Sequence, residues 1–116
     1  MLNMVLDLIN LYGSNEPRNI ASRLNIKVLY KRMPVGVSGV LINPDIKKAI
    51  IINSRLSRQQ QRIALAHQLG HVLLHGEYDL YGALDDTVRD KMEIDANTFT
   101  HLLLNKGVQH EKERCN

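Results

Sequence analysis

The sequence predicts an α+β domain in which several helices pack against a small, mostly antiparallel sheet. Apolar residues recur at helical spacing in separate stretches, and short runs rich in β-branched residues flank an Asn-Pro-Asp turn signal in the middle of the chain. With 116 residues and 44% hydrophobic content, the chain can bury one core but not two. We therefore expect a single domain over residues 1–116, with its core at about 17–104 and a frayed polar tail at 105–116.

Two helices and three strands are predicted before residue 54. Apolar residues at helical spacing predict a first helix that Gly13 ends, and Pro17 suits the first turn of a second helix that Asn25 can end. The strand segments are residues 26–30, 39–43 and 49–53. We expect the last two to pair as an antiparallel hairpin around the Asn43-Pro44-Asp45 turn.

The next helix carries the most informative residues of the chain. Ser57 and Gln60 have the spacing of a capping box, which predicts a helix of about five turns that ends at His75, with Gly76 just beyond it. Within it lies His67-Gln68-Leu69-Gly70-His71, which is the zinc-binding pattern H-E-x-x-H with Gln in place of Glu. Because residues four apart share a helix face, His67 and His71 can present two imidazole nitrogens to one metal ion.

Position 68 separates metal binding from hydrolysis. In H-E-x-x-H peptidases the Glu at this position takes a proton from the water that attacks the peptide carbonyl. The amide of Gln68 has almost the same size but no useful basicity near neutral pH. The pattern therefore predicts that metal binding survives while turnover collapses.

A third metal ligand is expected on a last helix, predicted from about residue 90 to residue 104. Glu93 is our choice, with Asn97 one turn on as a hydrogen-bonding neighbour of the site. Spacing alone leaves other acids open as alternatives: Asp79, Asp85, Asp86, Asp90 and Asp95.

The remaining polar residues of interest have weaker assignments. We expect His75 to lie at a helix C-terminus, where a cation is favoured, and His101 to serve in packing or at the surface. Stabilisation of an oxyanion could fall to Tyr78, Tyr81 or His101, and spacing does not choose among them.

Composition narrows the compartment and the partners. The net charge of +3 comes from scattered basic residues, so no direct contact with nucleic acid is expected. No apolar run is long enough to span a bilayer, and the N-terminus does not resemble a signal peptide. The lone Cys115 excludes an internal disulfide and a thiolate-rich zinc site, and a reducing cytoplasm fits it best.

Residues 63–75, IALAHQLGHVLLH, resemble the TLAHELGHLLLH motif of the ImmA/IrrE family of metallopeptidases. Residues 20–28 resemble that family's helix-to-strand entry, residues 37–39 its strand start, and residues 93–99 its ExxANxF motif. The resemblance extends over about residues 20–104 and implies a gluzincin-like fold, with the active-site helix beside a small sheet. It further implies Zn²⁺ held by His67, His71 and Glu93, with position 68 as the catalytic base.

The resemblance also implies a substrate. Members of this family commonly cut helix-turn-helix repressors of phages and mobile elements, so a DNA-binding protein is the expected partner, and residues 39–43 are the expected edge for an extended substrate. Two hypotheses follow for Gln68. The chain is either a peptidase whose catalytic Glu has been replaced, most simply by engineering, or a natural non-catalytic relative that regulates a repressor by binding it.

Overall fold

The computed structural model describes residues 1–42, 48–75 and 86–115, with side chains through residue 105. Its elements are α1 (Leu2–Tyr12), α2 (Pro17–Arg23), β1 (Lys27–Lys31), β2 (Gly39–Ile42), β3 (Ala49–Asn53), α3 (Arg58–His75) and α4 (Asp86–Cys115). Helices packed on one small sheet make the α+β fold that the sequence predicts. Within the described ranges, no helix has the length and apolar character needed to cross a membrane.

The first two helices end where the sequence predicts. Gly13 ends α1 in a left-handed conformation with φ of 67°. Helix α2 ends in a Schellman motif, in which Asn25 has φ of 58° and the Ile26 N–H donates to the Ala21 carbonyl at 2.9 Å. Ile26 and Ala21 are both buried, so this motif directs the chain from α2 into β1.

The three strands form a mixed sheet in the order β1-β3-β2. Strands β2 and β3 pair antiparallel, which confirms the predicted hairpin, although its Asn43-Pro44-Asp45 turn lies outside the described residues. Strand β1 pairs parallel with β3, so the prediction of a mostly antiparallel sheet is wrong for this strand. The connection at residues 32–38 carries the chain from β1 past one strand position to β2, and β3 later occupies the position between them.

Asn53 holds that connection in place. Its side chain is 2% exposed, its Oδ1 accepts from the Met33 N–H at 3.1 Å, and its Nδ2 donates to the Val37 carbonyl at 2.7 Å and to the Pro34 carbonyl at 3.3 Å. These hydrogen bonds satisfy the buried amide and so offset the free-energy cost of its desolvation. They also fix the loop between β1 and β2.

Helix α3 begins at the predicted capping box. The Ser57 N–H donates to Gln60 Oε1, and the Gln60 N–H donates to Ser57 Oγ, both at 3.2 Å. Farther along, Gly70 lets α3 approach α4 closely, because a Cβ at this position would lie 3.0 Å from Phe99 Cδ1 and 3.3 Å from Ala96 Cα. This close contact sets the distance between the two helices that carry the polar cluster described below.

Helix α4 is longer than predicted at both ends. It starts at Asp86 rather than near Asp90 and continues to Cys115, through the segment expected to be a frayed tail. Lys, Glu, Gln and Arg are frequent in residues 106–115 and are good helix formers. Propagation of a helix from a packed segment costs less than nucleation, so these residues extend α4.

Candidate metal centre

The side chains of His67, His71 and Glu93 converge at the junction of α3 and α4. Glu93 Oε2 lies 3.0 Å from His67 Nε2, and Glu93 Oε1 lies 2.8 Å from His71 Nε2. The two imidazole Nε2 atoms are 3.2 Å apart. Among the described residues these three side chains form one group whose donor atoms all lie within 4.8 Å of one another.

The spacing of these donor atoms fits one tetrahedral zinc ion. Two nitrogens at about 2.0–2.1 Å from such an ion lie about 3.3 Å from each other, close to the separation found between His67 and His71. Exposure is uneven, since the His71 side chain is 8% exposed and that of Glu93 is 56% exposed. The group is therefore buried on one side and open to solvent on the other.

The open side faces a cavity of about 470 Å³ between α3, α4 and the start of β2. Its walls include His67, Gln68, Glu93, Asn97 and Ser38. A ligand in this cavity would touch two of the three donor residues and the residue at position 68 at once. This arrangement suits a reaction in which a substrate bond lies next to a metal ion.

One edge of β2 is unpaired within the described part of the sheet. The Asn53 N–H donates to the Ser38 carbonyl, and Ser38 stands opposite Asn53 because Gly39 pairs with Ile52. Backbone groups along an antiparallel strand point alternately toward and away from the partner strand. The N–H and carbonyl groups of Gly39 and Leu41 therefore point outward, on the side where an extended chain could pair.

Gln68 contacts this outward edge. Its Nε2 donates to the Gly39 carbonyl at 3.4 Å, a long hydrogen bond. An ionised carboxylate at position 68 could not make this bond, because it has no hydrogen to donate. The amide therefore contributes a contact between α3 and β2 that the usual Glu could not.

Behind the donor atoms, a series of polar contacts leads from the buried His71 through His75 to the half-exposed Asp95. His71 Nδ1 lies 3.3 Å from His75 Nδ1, and His75 Nε2 lies 3.6 Å from Asp95 Oδ2. The His75 Nε2 atom is buried and makes no hydrogen bond within the described residues. His75 thus packs under the donor group, and its i,i+4 spacing from His71 was the sequence signal for this contact.

The other residues singled out from the sequence have less direct positions. Asn97 lines the cavity but forms no hydrogen bond with the described residues, so its supporting role stays a prediction. His101 is exposed and bonds Asn105 Nδ2, and it lines a neighbouring depression that His67 and Asn97 also line. Asp86 and Asp90 are exposed on α4. Outside the described residues lie Tyr78, Tyr81, Asp79, Asp85 and Gly76.

Two histidines one helical turn apart and a glutamate from a second helix are the donor set of metallopeptidases with catalytic zinc. The fold and the donor set thus define a metallopeptidase-like domain. The family model Peptidase_M78, which describes the IrrE N-terminal-like domain, matches residues 21–113 of this chain. The chain belongs to this family.

Curated relatives come from a phage and from two Deinococcus species. The chain is 32% identical over 99 residues to the "Uncharacterized immunity region protein 2" of Bacillus phage phi105, covering 84% of this chain and 63% of the phage protein. It is 37% identical over 62 residues to the "Radiation response metalloprotease IrrE" of Deinococcus deserti, covering 53% of this chain and 22% of that protease. The IrrE of Deinococcus radiodurans is 38% identical over 56 residues, which cover 48% of this chain and 17% of that protein. The chain therefore matches less than two thirds of the length of each of these relatives.

Proposed function

We propose that this chain is a zinc-dependent peptidase domain that acts on a helix-turn-helix repressor of a phage or mobile element, with hydrolysis suppressed by Gln68. The convergence of His67, His71 and Glu93 beside an open cavity is the observation that carries the proposal. The phage relative, whose name places it in an immunity region, supports a phage repressor as the proposed substrate. The lone Cys115 supports a reducing cytoplasm as the compartment.

Each residue of the site has a proposed task. His67, His71 and Glu93 would hold the zinc ion, which supplies Lewis-acid polarisation of a peptide carbonyl when bound. Position 68 faces the same cavity, where a Glu would accept a proton from the attacking water. Gln68 can orient a water molecule or a carbonyl by hydrogen bonding, but it cannot take the proton.

The outward edge of β2 would bind an extended segment of the repressor by strand addition, next to the metal. Leu41→Pro tests this, because proline removes the outward N–H while leaving the bonds between β2 and β3 intact. We expect repressor binding to weaken about 10-fold, as for the loss of one or two interface hydrogen bonds. Co-elution and calorimetric titration with the repressor encoded beside the gene would measure it.

Leu41→Ala is the matched control for that experiment. It removes the same half-buried side chain but keeps the N–H, so it should bind the repressor nearly as well as the unaltered chain. Equal weakening in the two variants would mean that the side chain, and not strand pairing, holds the partner. No repressor binding by the unaltered chain would end the proposal of this substrate.

A second candidate function is a regulator that binds the repressor without cutting it. The hydrogen bond from Gln68 Nε2 to the Gly39 carbonyl favours it, since this contact uses the amide for a purpose that Glu could not serve. In that case the chain acts by occupancy of the repressor. Activity of the Gln68→Glu variant distinguishes the two functions.

His75 is proposed as a positioning residue for the zinc ligand His71. If His71 held the metal through Nε2, its Nδ1 would carry the proton and would donate to His75 Nδ1, 3.3 Å away. A neutral His75 would then carry its own proton on Nε2, which lies 3.6 Å from Asp95 Oδ2. His75→Leu should lower zinc affinity about 10- to 100-fold, as loss of such a partner commonly does.

His75→Gln is the informative comparison, because its amide oxygen can still accept a hydrogen bond. Zinc affinity measured by competition with a chelator should recover at least partly in His75→Gln. If His75→Leu binds zinc as tightly as the unaltered chain, His75 has no positioning role.

A further inference from the structure

A second cavity, of about 500 Å³, lies between α2, β1 and the first two turns of α3. It shares no lining residue with the cavity at the metal centre. Three arginines line it, one from α2 and two from α3: Arg18, Arg58 and Arg62. We call it the arginine cavity.

The charges of the arginine cavity do not cancel. Glu16 is the one carboxylate among the described residues that line the cavity, so three guanidinium groups against this carboxylate leave an excess of two positive charges. Glu16 accepts from Arg62 Nε at 3.0 Å and 3.3 Å through its two oxygens. This contact leaves the terminal nitrogens of Arg62 without a hydrogen bond inside the described part of the chain.

The arginines are also partly fixed before any ligand arrives. The guanidinium of Arg18 lies 5.7 Å from the centre of the Tyr30 ring, within cation-π range. The ion pair with Glu16 holds Arg62 in one orientation. Arg58, by contrast, has no ion pair with any described residue. Because the guanidinium groups of Arg18 and Arg62 are held in place, less side-chain entropy is lost when an anion binds.

We propose that the arginine cavity binds the phosphate monoester group of a small organic molecule. Guanidinium forks match the oxygen geometry of phosphate, and a phosphate monoester carries about −1.5 to −2 charges near neutral pH, which balances the cavity's excess. A single carboxylate would leave one positive charge unmatched. The volume exceeds that of one phosphate and lies in the range of small-molecule sites, so it also accommodates the group that bears the phosphate.

The clustering of the three arginines around one open depression favours a small ligand over a nucleic-acid strand. The three arginines lie around one depression. Proteins that bind a nucleic-acid strand usually have a positively charged groove that follows its backbone, with aromatic side chains on which the bases stack. The Arg18 guanidinium lies over one face of the Tyr30 ring, so that face is not available for base stacking. A nucleoside monophosphate has the size and charge to serve as a probe.

Titration of the full chain at low ionic strength with adenosine monophosphate tests the proposal, with heteronuclear NMR as the readout. Adenosine monophosphate should shift the amide signals around the arginine cavity, and adenosine should not. Arg58→Gln should weaken binding about 10-fold, as expected for the loss of a charge-assisted contact. Arg58 is exposed, so this variant should keep the fold.

Arg23→Gln is the matched control. Arg23 is exposed on α2 but does not line the cavity, and this substitution changes the net charge by the same amount. It should leave binding nearly unchanged, and so should His67→Ala, which separates the arginine cavity from the metal centre. Equal weakening by Arg58→Gln and Arg23→Gln would overturn the proposal, as would binding of adenosine as tight as that of its monophosphate. Binding of duplex DNA that Arg58→Gln abolishes, without binding of the monophosphate, would also overturn it.

Discussion

Gln68→Glu is expected to raise hydrolysis of the repressor by about 10²- to 10⁴-fold, the range that a positioned general base contributes. The residue lines the cavity next to His67 and Glu93, so a carboxylate there stands where a proton must be accepted. The substitution replaces the amide –NH₂ group with an oxygen of similar size, and it exchanges the long hydrogen bond to Gly39 for a contact between two oxygens. Cleavage by the two forms, loaded with equal zinc, measures the effect on gels or by mass spectrometry.

Two further variants isolate the cause of any gain. Gln68→Ala should cleave no faster than the unaltered chain, because it supplies no base. Gln68→Glu combined with His67→Ala should lose the gain, since it lacks a metal donor. If Gln68→Glu binds zinc and the repressor fully but cuts no faster, the chain is a regulator that acts by occupancy, and the peptidase hypothesis fails.

The purified chain should bind about one zinc ion, and His67→Ala or Glu93→Ala should abolish this binding at micromolar zinc. Each variant removes one of three donors, so the loss in zinc affinity should exceed the roughly 10- to 100-fold that loss of a residue hydrogen-bonded to a ligand costs. Elemental analysis after dialysis, together with competition against a chelator, gives both stoichiometry and affinity.

Matched controls exist on α4, the helix that carries Glu93. Asp90→Ala removes an exposed acid of α4, and His101→Ala removes an exposed histidine that bonds Asn105 instead of the donor group. Both should keep a full complement of zinc. Full zinc in both His67→Ala and Glu93→Ala would show that the ion, if bound, is held elsewhere.

Local signals in the sequence predicted much of the helical framework. Gly13, Asn25 and the pair Ser57 and Gln60 each act within a few residues of their position, through a left-handed turn or a reciprocal cap. Such interactions need no knowledge of distant parts of the chain, so they can be predicted before the fold is known. The two-histidine spacing is local in the same way.

Features that depend on distant contacts were harder to predict. Strand β1 pairs parallel with β3, and the Asn53 side chain reaches back to residues 33–37 in the connection between β1 and β2. Both contacts join parts of the chain that are far apart in sequence, so no local pattern predicts them. The contact of Asp95 with His75 likewise requires the packing of α3 on α4. Spacing and resemblance predicted Glu93 as the third ligand, but only the packing of α3 on α4 brings its carboxylate to the two histidines.

The three donor residues come from two helices and from no loop. An ion held by them would act as a cross-link between α3 and α4, which are joined in the chain by the segment at residues 76–85. Loading would then raise the unfolding temperature in proportion to the logarithm of free zinc concentration, because only the folded chain assembles all three donors. Heat resistance would therefore report the state of the centre even in a form that cuts nothing, and removal of the ion would loosen the very helices that shape the cavity.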